Sequence, residues 1–162
     1  MKTNFFSRGI LASNRSKGGT KSVFAGALLA ATTLLFACST ISTYDQAAYE
    51  HATSAKVDAL ALMDKATDSF SAHAKEVEIV NLTLSKAYEY DKGRPLNAIT
   101  LKQWDLLLSP DHDLFGGFLR DWKSKGQFKP VAVSEKKKQV GNGFDQIIGL
   151  ESGKLKPSDI KP

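Results

Sequence analysis

Cysteine is almost missing from this sequence, and acidic residues are missing from its first part. Cys38 is the one cysteine among 162 residues, so no intramolecular disulfide can form. Residues 1–21 contain five Lys and Arg and no acid, and residues 23–37 carry no charge at all. A lone cysteine is often just a small buried apolar side chain. Its position directly after an uncharged segment suggests a second explanation.

The sequence also lacks the usual signatures of catalytic and metal sites. His51, His73 and His112 have no second histidine three or four residues away, which excludes a helical HExxH zinc motif. We expect His51 and His73 to be solvated. Residues 141–143, GNG, have no following Gly-Lys-Ser/Thr of a phosphate loop, and residues 109–113, SPDHD, resemble the start of a helix more than a catalytic group. We therefore expect no cofactor, no metal and no catalytic residue.

Residues 1–37 have the layout of a secretory signal peptide. A basic segment is followed by the apolar segment VFAGALLAATTLLFA, which ends on the small residue Ala37. A stable membrane span needs roughly 20 apolar residues, and this segment is shorter. The pattern favours export and removal of residues 1–37 over permanent anchoring by this segment.

The residues around the cysteine, Leu35-Phe36-Ala37-Cys38, resemble the lipobox of bacterial lipoproteins. In that family the cysteine thiol receives a diacylglycerol, signal peptidase II cuts before the cysteine, and the freed amine is usually acylated with a fatty acid such as palmitate. Several acyl chains, at about 0.8 kcal/mol per buried methylene, would anchor the protein stably. The resemblance implies lipidation at Cys38, and Ser39 in the next position implies the outer membrane.

The charge of the full sequence changes if the signal peptide is removed. Five of the 22 Lys and Arg lie in residues 1–37, so the remaining chain has 17 Lys and Arg and 17 Asp and Glu. Residues 38–113 hold 7 cations and 12 anions, whereas residues 114–162 hold 10 cations and 5 anions. The mature chain is thus neutral with an acidic first half and a basic second half. This excludes nucleic-acid binding as the reason for the basic isoelectric point.

Residues 44–92 are predicted to be helical. They contain neither Gly nor Pro, and apolar or small residues recur at steps of three and four. Ser42 and Asp45 resemble a capping box at the start, and Gly93 with Pro95 supplies a stop signal.

A helix of that length would reach about 70 Å, so a break at residues 67–69 or 81–83 is the alternative. We expect one long helix, with an apolar face rich in alanine that becomes heavier toward its end, at Leu62, Phe70, Val77, Leu84 and Tyr88.

The region after this helix is the most aromatic part of the sequence. Thr100 and Gln103 resemble a second capping box, residues 109–110 resemble the N-cap and first position of another helix, and Gly126 resembles a terminator. Four aromatic residues fall on helical spacing here: Trp104, Phe115, Phe118 and Trp122. We interpret them as core, because aromatic side chains dominate core burial, with a ligand cleft as the alternative.

The last part of the sequence is predicted to be less regular. The segment FKPVAV, residues 128–133, is short and interrupted by proline, and a short helix starts at Ser134 with Gly141 and Gly143 interrupting it. We expect residues 152–162 to form a disordered tail.

These patterns together predict an all-α fold in a bundle or hairpin arrangement, with a long amphipathic N-terminal helix and shorter helices packed on it. The expected organisation is a signal peptide at 1–37, a lipidated anchor and linker at 38–43, a helical domain at 44–151 and the tail at 152–162.

For function we expect a non-enzymatic binding or envelope-assembly module, anchored to the outer membrane and facing the periplasm. Lys136, Lys137 and Lys138 are the candidate contact with an envelope protein partner, although such a cluster can also be a solvated face or pair with the protein's own acids. Self-association is a further possibility. An inhibitor or immunity protein that sequesters a periplasmic toxin or hydrolase is the alternative, and a periplasmic enzyme is less favoured.

Replacing the cysteine tests the lipoprotein hypothesis. Because the thiol of Cys38 would be the acylation site, Cys38→Ala should abolish labelling by an alkyne fatty acid and leave an uncleaved precursor on a gel. Ser39→Ala is the matched control and should be labelled and cleaved normally. Labelling of Cys38→Ala at the wild-type level would refute the hypothesis.

Overall fold

The computed structural model describes residues 42–160, which form an all-helical domain. The predicted signal peptide and the predicted lipidation at Cys38 lie outside the described residues. Within the described range there are five α-helices and no β-strand, as the sequence predicted. The helices are α1 (Gln46–Asp64), α2 (Ala74–Lys92), α3 (Ala98–Leu108), α4 (Phe115–Lys125) and α5 (Pro130–Glu151), with short 3-10 helices at Lys65–Thr67, Phe70–His73 and Pro157–Asp159.

The helices pack around a single apolar core. Helix α1 packs against α2 and α5, α3 packs against α5 and α2, and α4 packs against α3 and the segment between α1 and α2. None of the helices in residues 42–160 is both long and apolar enough to cross a bilayer. The largest fully buried apolar side chains come from α1 to α5 alike, and they include Met63, Leu84, Trp104, Trp122 and Phe144.

The apolar face of α1 consists mainly of alanine. Its small buried members are Ala48, Ala52, Ala55, Ala59 and, just beyond the helix, Ala66. Since a methyl group projects little from the helix, these positions let α2 and α5 approach the backbone of α1 closely. The heavier face lies in α2, where Val77, Val80 and Leu84 are buried.

The prediction of one long helix over residues 44–92 is wrong, because the chain breaks between α1 and α2. Asp68 and Ser69 have extended backbones, with ψ of 173° and 140°. The backbone groups freed by the break bond to the α4–α5 connection: Phe70 N donates to Gly126 O at 3.1 Å, and Phe128 N donates to Ala66 O at 2.7 Å. The break therefore falls at the first of the two predicted alternatives, residues 67–69, and α2 is continuous through 81–83.

The helix starts differ from the predicted capping boxes. Asp45 itself is the N-cap of α1 and accepts a hydrogen bond from Ala48 N at 2.9 Å, so Ser42 is not the cap. Helix α3 begins earlier than predicted, at Ala98, and this places Thr100 inside the helix as a buried residue. The predicted stops at Gly93 and Gly126 are correct, and Gly126 adopts a φ of +85° that favours glycine.

Residues 109–114 form a turn rather than the predicted start of a helix. Helix α4 begins at Phe115, after this turn. A Cβ atom on Gly116 would overlap the carbonyl oxygen of Leu108, and one on Gly117 would overlap the carbonyl oxygen of His112. The two glycines thus let the turn fold closely against the start of α4.

Helix α5 is much longer than the predicted short helix from Ser134. It starts at Pro130, whose missing N–H costs nothing at the first turn, and continues through Gly141 and Gly143. A Cβ on Gly143 would lie 3.1 Å from Leu107 Cδ1 of α3. Close packing of α3 on this face explains why glycine is accommodated inside α5.

After α5 the chain forms a turn and the short 3-10 helix Pro157–Asp159, and the predicted disorder of residues 152–162 stays a prediction. Leu155 N donates to Gly149 O at 2.9 Å, and the Leu155 side chain covers Gly149. Residues 161–162 lie outside the described residues. The contact of Leu155 with Gly149 places the start of this segment against α5.

Because the buried face of α1 consists mainly of alanine, we expect a sharp limit on the size of the side chains that this face accepts. Ala55→Leu should lower the free energy of unfolding by about 1–3 kcal/mol, because Ala55 is fully buried and overpacking forces neighbours apart. Ala61→Leu, on the exposed face of the same helix, is the control and should change it by less than about 0.5 kcal/mol. Urea unfolding followed by circular dichroism measures both, and equal values for the two variants would contradict the packing described.

Candidate functional site

The aromatic residues that the sequence assigned to the core are buried. Trp104, Phe115, Phe118 and Trp122 are 0–1% exposed. Trp104 meets Phe144 of α5 edge-on, with ring centroids 5.9 Å apart. The rings of Phe118 and Trp122 lie 6.2 Å apart between centroids, and Phe115 lines a pocket of about 260 Å³ between α2 and the start of α4.

A cluster of buried polar side chains lies where α2 ends, α5 ends and the chain enters α1. It consists of Asp91, Arg94, Asn97 and Glu151, and is called the Arg94 cluster below. Arg94 Nη1 donates to Glu151 Oε2 and lies 3.6 Å from Asp91 Oδ1. Asn97 Nδ2 donates to the carbonyl oxygen of Asp91 at 3.0 Å. The indole N–H of Trp104 donates to Asp91 Oδ2 at 2.6 Å, which connects the cluster to α3.

The Arg94 cluster is shielded from water and holds more negative than positive charge. The side chains of Asp91 and Glu151 are 2% and 1% exposed, and that of Arg94 is 9% exposed. The pKa of Asp91 is raised to about 6, mainly by burial; the hydrogen bond from Trp104 and the charge of Arg94 act in the opposite direction, and the charge of Glu151 adds to the rise. Asp91 Oδ1, Asn97 Oδ1 and Glu151 Oε1 have no hydrogen-bond partner within residues 42–160. The cluster has more hydrogen-bond acceptors than donors, and a proton on Asp91 adds one hydrogen-bond donor to it.

Arg94 also fixes the entry of the chain into α1. Its Nη2 donates to the carbonyl oxygen of Thr43 at 2.5 Å. Nearby, the hydroxyl of Tyr90 donates to Asp45 Oδ1 at 3.1 Å. The pKa of Asp45 is lowered, first by its hydrogen bond from Ala48 N and also by Tyr90 and Arg94, with burial acting in the opposite direction. Residues 43–45 are therefore held against the end of α2.

The three lysines predicted to contact a partner each face an acid of this chain. Lys137 Nζ lies 2.5 Å from Asp64 Oδ1 of α1, and Lys136 Nζ lies 3.8 Å from Asp113 Oδ1. Lys138 pairs with Glu135 on its own helix at 3.1 Å. These contacts correspond to the competing interpretation from the sequence, in which the lysines pair with the protein's own acids. Such exposed pairs stabilise a protein by at most about 1 kcal/mol each.

His73 differs from the prediction that it is solvated. It lies at the break before α2, with a side chain 14% exposed between Asp68 and Glu76. Its Nε2 is 3.1 Å from Asp68 Oδ2, and this hydrogen bond is the main reason that its pKa is raised. The ring packs beside Trp122, whose indole N–H donates to Asp68 O at 2.9 Å. His73 therefore stabilises the break instead of serving as a free base.

The other two histidines are exposed and lie elsewhere. His51 of α1 meets the ring of Tyr90 edge-on, with centroids 4.9 Å apart, and His112 belongs to the turn before α4. Within residues 42–160 no group of three or more His, Asp or Glu side chains is arranged to hold a metal ion.

Among residues 42–160, α1 borders a larger and a smaller open groove. The larger, of about 510 Å³, lies between α1 and α5, and it is called the α1–α5 groove below. Its lining residues are Leu60, Asp64, Thr67, Pro130, Val133, Ser134, Lys137 and Lys138. The smaller, of about 290 Å³, lies between α1 and α2 beside the exposed side chain of Ile79. Two of the three lysines thus border the larger groove.

Sequence reasoning did not find the Arg94 cluster. Arg94 stands in the segment Gly-Arg-Pro-Leu, which served only as a helix stop signal, and Asp91 and Glu151 are 60 residues apart in the chain. The one local signal is at Glu151, an acid that directly follows the apolar residues of α5. The charges meet only because α1 and α3 each pack against both α2 and α5, which brings the ends of α2 and α5 together.

The buried carboxyl of Asp91 predicts a pH dependence. The pKa of Asp91 is about 6 in the folded state and 3.8 in the unfolded state. Between these two pH values the carboxyl keeps its proton in the folded state and has lost it in the unfolded state. Its contribution to stability is present below about pH 4 and is lost as the pH rises to about 6. The test compares the free energy of unfolding of the wild type with that of Asp91→Asn. The wild-type value minus the variant value should fall by on the order of 2 kcal/mol from about pH 4 to about pH 7.

Urea unfolding of both proteins at several pH values measures this difference. His73 and the remaining acidic residues titrate in both proteins, so their contributions cancel in the difference. Asp58→Asn, on the exposed face of α1, is the matched control and should show no such trend. A difference that is flat or rises with pH would contradict the burial described for Asp91.

Comparisons with known proteins do not supply a function. No protein-family model matches the chain, and no curated protein and no solved structure matches it either. The functional conclusion therefore depends on the predicted lipobox and on the surface of the helical domain.

Proposed function

We propose that this protein is a lipid-anchored module of the bacterial envelope that binds another protein and catalyses no reaction. The lipobox-like sequence that ends at Cys38 supports the anchor. Helix α1 begins at Gln46, only eight residues later, so the anchor is followed almost directly by the helical domain. By resemblance to bacterial lipoproteins with a serine after the cysteine, the protein faces the periplasm from the outer membrane.

The α1–α5 groove is the observation that favours binding. We assign this groove as the surface that contacts the partner. Its floor is formed by apolar atoms of Leu60, Pro130 and Val133. Val57, 66% exposed, lies three residues before Leu60 and extends the same face of α1. A groove between two helices with an apolar floor and charged borders fits an amphipathic helix laid along it.

Lys137 and Lys138 border this groove and would set the register of the partner. Lys137 and Asp64 bridge α5 and α1 at 2.5 Å, with side chains 27% and 59% exposed. Because an exposed pair of this kind is worth little, a carboxylate of the partner can replace Asp64 at small cost. The apolar floor then supplies most of the affinity, Lys137 and Lys138 supply orientation, and Lys136, outside the groove on the same helix, adds to the positive charge that raises the association rate.

Blocking the groove tests this proposal. Ser134 is exposed and lines the groove, so Ser134→Trp should fill it without disturbing the core and should abolish capture of the partner by crosslinking in cells. Gln139→Trp, at an exposed position of the same helix outside the groove, is the matched control and should capture the partner as the wild type does.

Circular dichroism of both variants checks that they are folded. Equal capture by wild type and both variants would refute the assignment of the groove. If the captured protein is a toxin or a hydrolase whose activity falls on binding, the module acts as an inhibitor or immunity protein.

A further inference from the structure

Three exposed apolar or aromatic side chains surround the point where the chain enters the domain. Tyr44 is 61% exposed, Leu96 58% and Tyr90 37%. Residues 43–45 are held beside Tyr90 and Arg94, because Arg94 Nη2 donates to Thr43 O and the Tyr90 hydroxyl donates to Asp45, and Leu96 follows Arg94 by two residues. We call this surface the anchor-proximal end.

The covalent chain limits how far this end can be from a lipid on Cys38. Thr43 is five residues after Cys38, and five fully extended residues span at most about 18 Å. Thr43 is itself held against Arg94, so the tether cannot lengthen without breaking that bond. A lipidated Cys38 would therefore keep the anchor-proximal end within a short distance of the bilayer.

The loop that carries Leu96 is held from both sides. Arg94 and Asn97 are inserted into the Arg94 cluster, and Leu96 between them adopts a φ of 57° that residues other than glycine rarely adopt. This conformation leaves an apolar side chain in solvent. A fixed conformation with an exposed leucine is unfavourable in water and becomes favourable if the leucine enters an apolar phase.

We propose that the anchor-proximal end lies in the head-group region of the membrane, with Leu96 reaching the acyl boundary. This inference rests on the proposed lipidation of Cys38. Tyrosine side chains are enriched at membrane interfaces, because the ring is apolar and the hydroxyl is polar, and Tyr44 and Tyr90 fit this position. Lys154 and Lys156, exposed just after the end of α5, add positive charge toward anionic head groups.

The opposite end of α5 supplies the control position. Val131 is 76% exposed and 20 residues before Glu151, which corresponds to about 30 Å along a helix. The lipid surface should therefore cover the anchor-proximal end and leave Val131 in water. The α1–α5 groove, which includes Pro130 and Val133, would stay open to a partner.

The experiment uses the full chain, processed in cells and reconstituted in vesicles of phosphatidylethanolamine and phosphatidylglycerol. Ala98→Cys places a thiol two residues after Leu96 at an exposed position, and Val131→Cys places one at the far end. Each thiol carries a nitrobenzoxadiazole fluorophore, whose emission shifts to the blue in an apolar environment. Dithionite added outside the vesicles measures accessibility to water.

The fluorophore at residue 98 should emit at shorter wavelength and react with dithionite several-fold more slowly than the one at residue 131. Leu96→Asp in the Ala98→Cys background should abolish this protection and remain folded, since aspartate tolerates a positive φ better than leucine. Equal accessibility at both positions, with fatty-acid labelling of Cys38 intact, overturns the inference and leaves the proposed lipidation standing. Missing fatty-acid labelling refutes the lipidation itself. Protection at residue 98 that disappears when the protein is diluted in the vesicles also overturns the inference, because a second copy then covers this end.

Discussion

The buried ion pair of Arg94 with Glu151 and Asp91 is the interaction on which the arrangement of the domain depends. Burying three charges is costly, and the cost is offset only where the groups satisfy each other. Arg94 does this by joining the ends of α2 and α5, while the hydrogen bond from Trp104 to Asp91 adds α3. The same guanidinium holds Thr43. One side chain therefore fixes both the helix ends and the direction from which the chain enters.

This geometry separates two surfaces along α5. The Arg94 cluster lies at the C-terminal end of the helix, next to the entry of the chain, and Lys137 lies 14 residues earlier, or about 21 Å along the helix. Under the proposed function, an anchor at one end and an open groove toward the other would give a tethered module access to a partner while it stays on the membrane. The exposed tyrosines and Leu96 belong to the first surface, and the lysines belong to the second.

Much of the fold could be predicted from periodicity, because the steps of three and four in residues 44–92 and the aromatic spacing around Trp104 reflect burial directly. The break at Asp68 could not be fixed, since it depends on hydrogen bonds from Phe70 and Phe128 to distant backbone atoms. The length of α5 was not predicted, because Gly143 indicates an interruption of the helix as long as the packing of Leu107 on it is unknown. The Arg94 cluster was missed for the same reason: its charges meet only after the helices pack.

A double-mutant cycle on Arg94 and Glu151 tests most directly whether the buried pair organises the domain. Urea unfolding of Arg94→Met should show a loss of about 3–5 kcal/mol, since Asp91 and Glu151 then lack a cation, and Glu151→Met should show a smaller loss, since Arg94 keeps Asp91 at 3.6 Å. The double variant should lose clearly less than the sum, because it no longer contains the Glu151 charge that Arg94→Met leaves without a cation. Additive losses, or single losses below about 1 kcal/mol, would show that the two side chains are not coupled and that the domain does not depend on them.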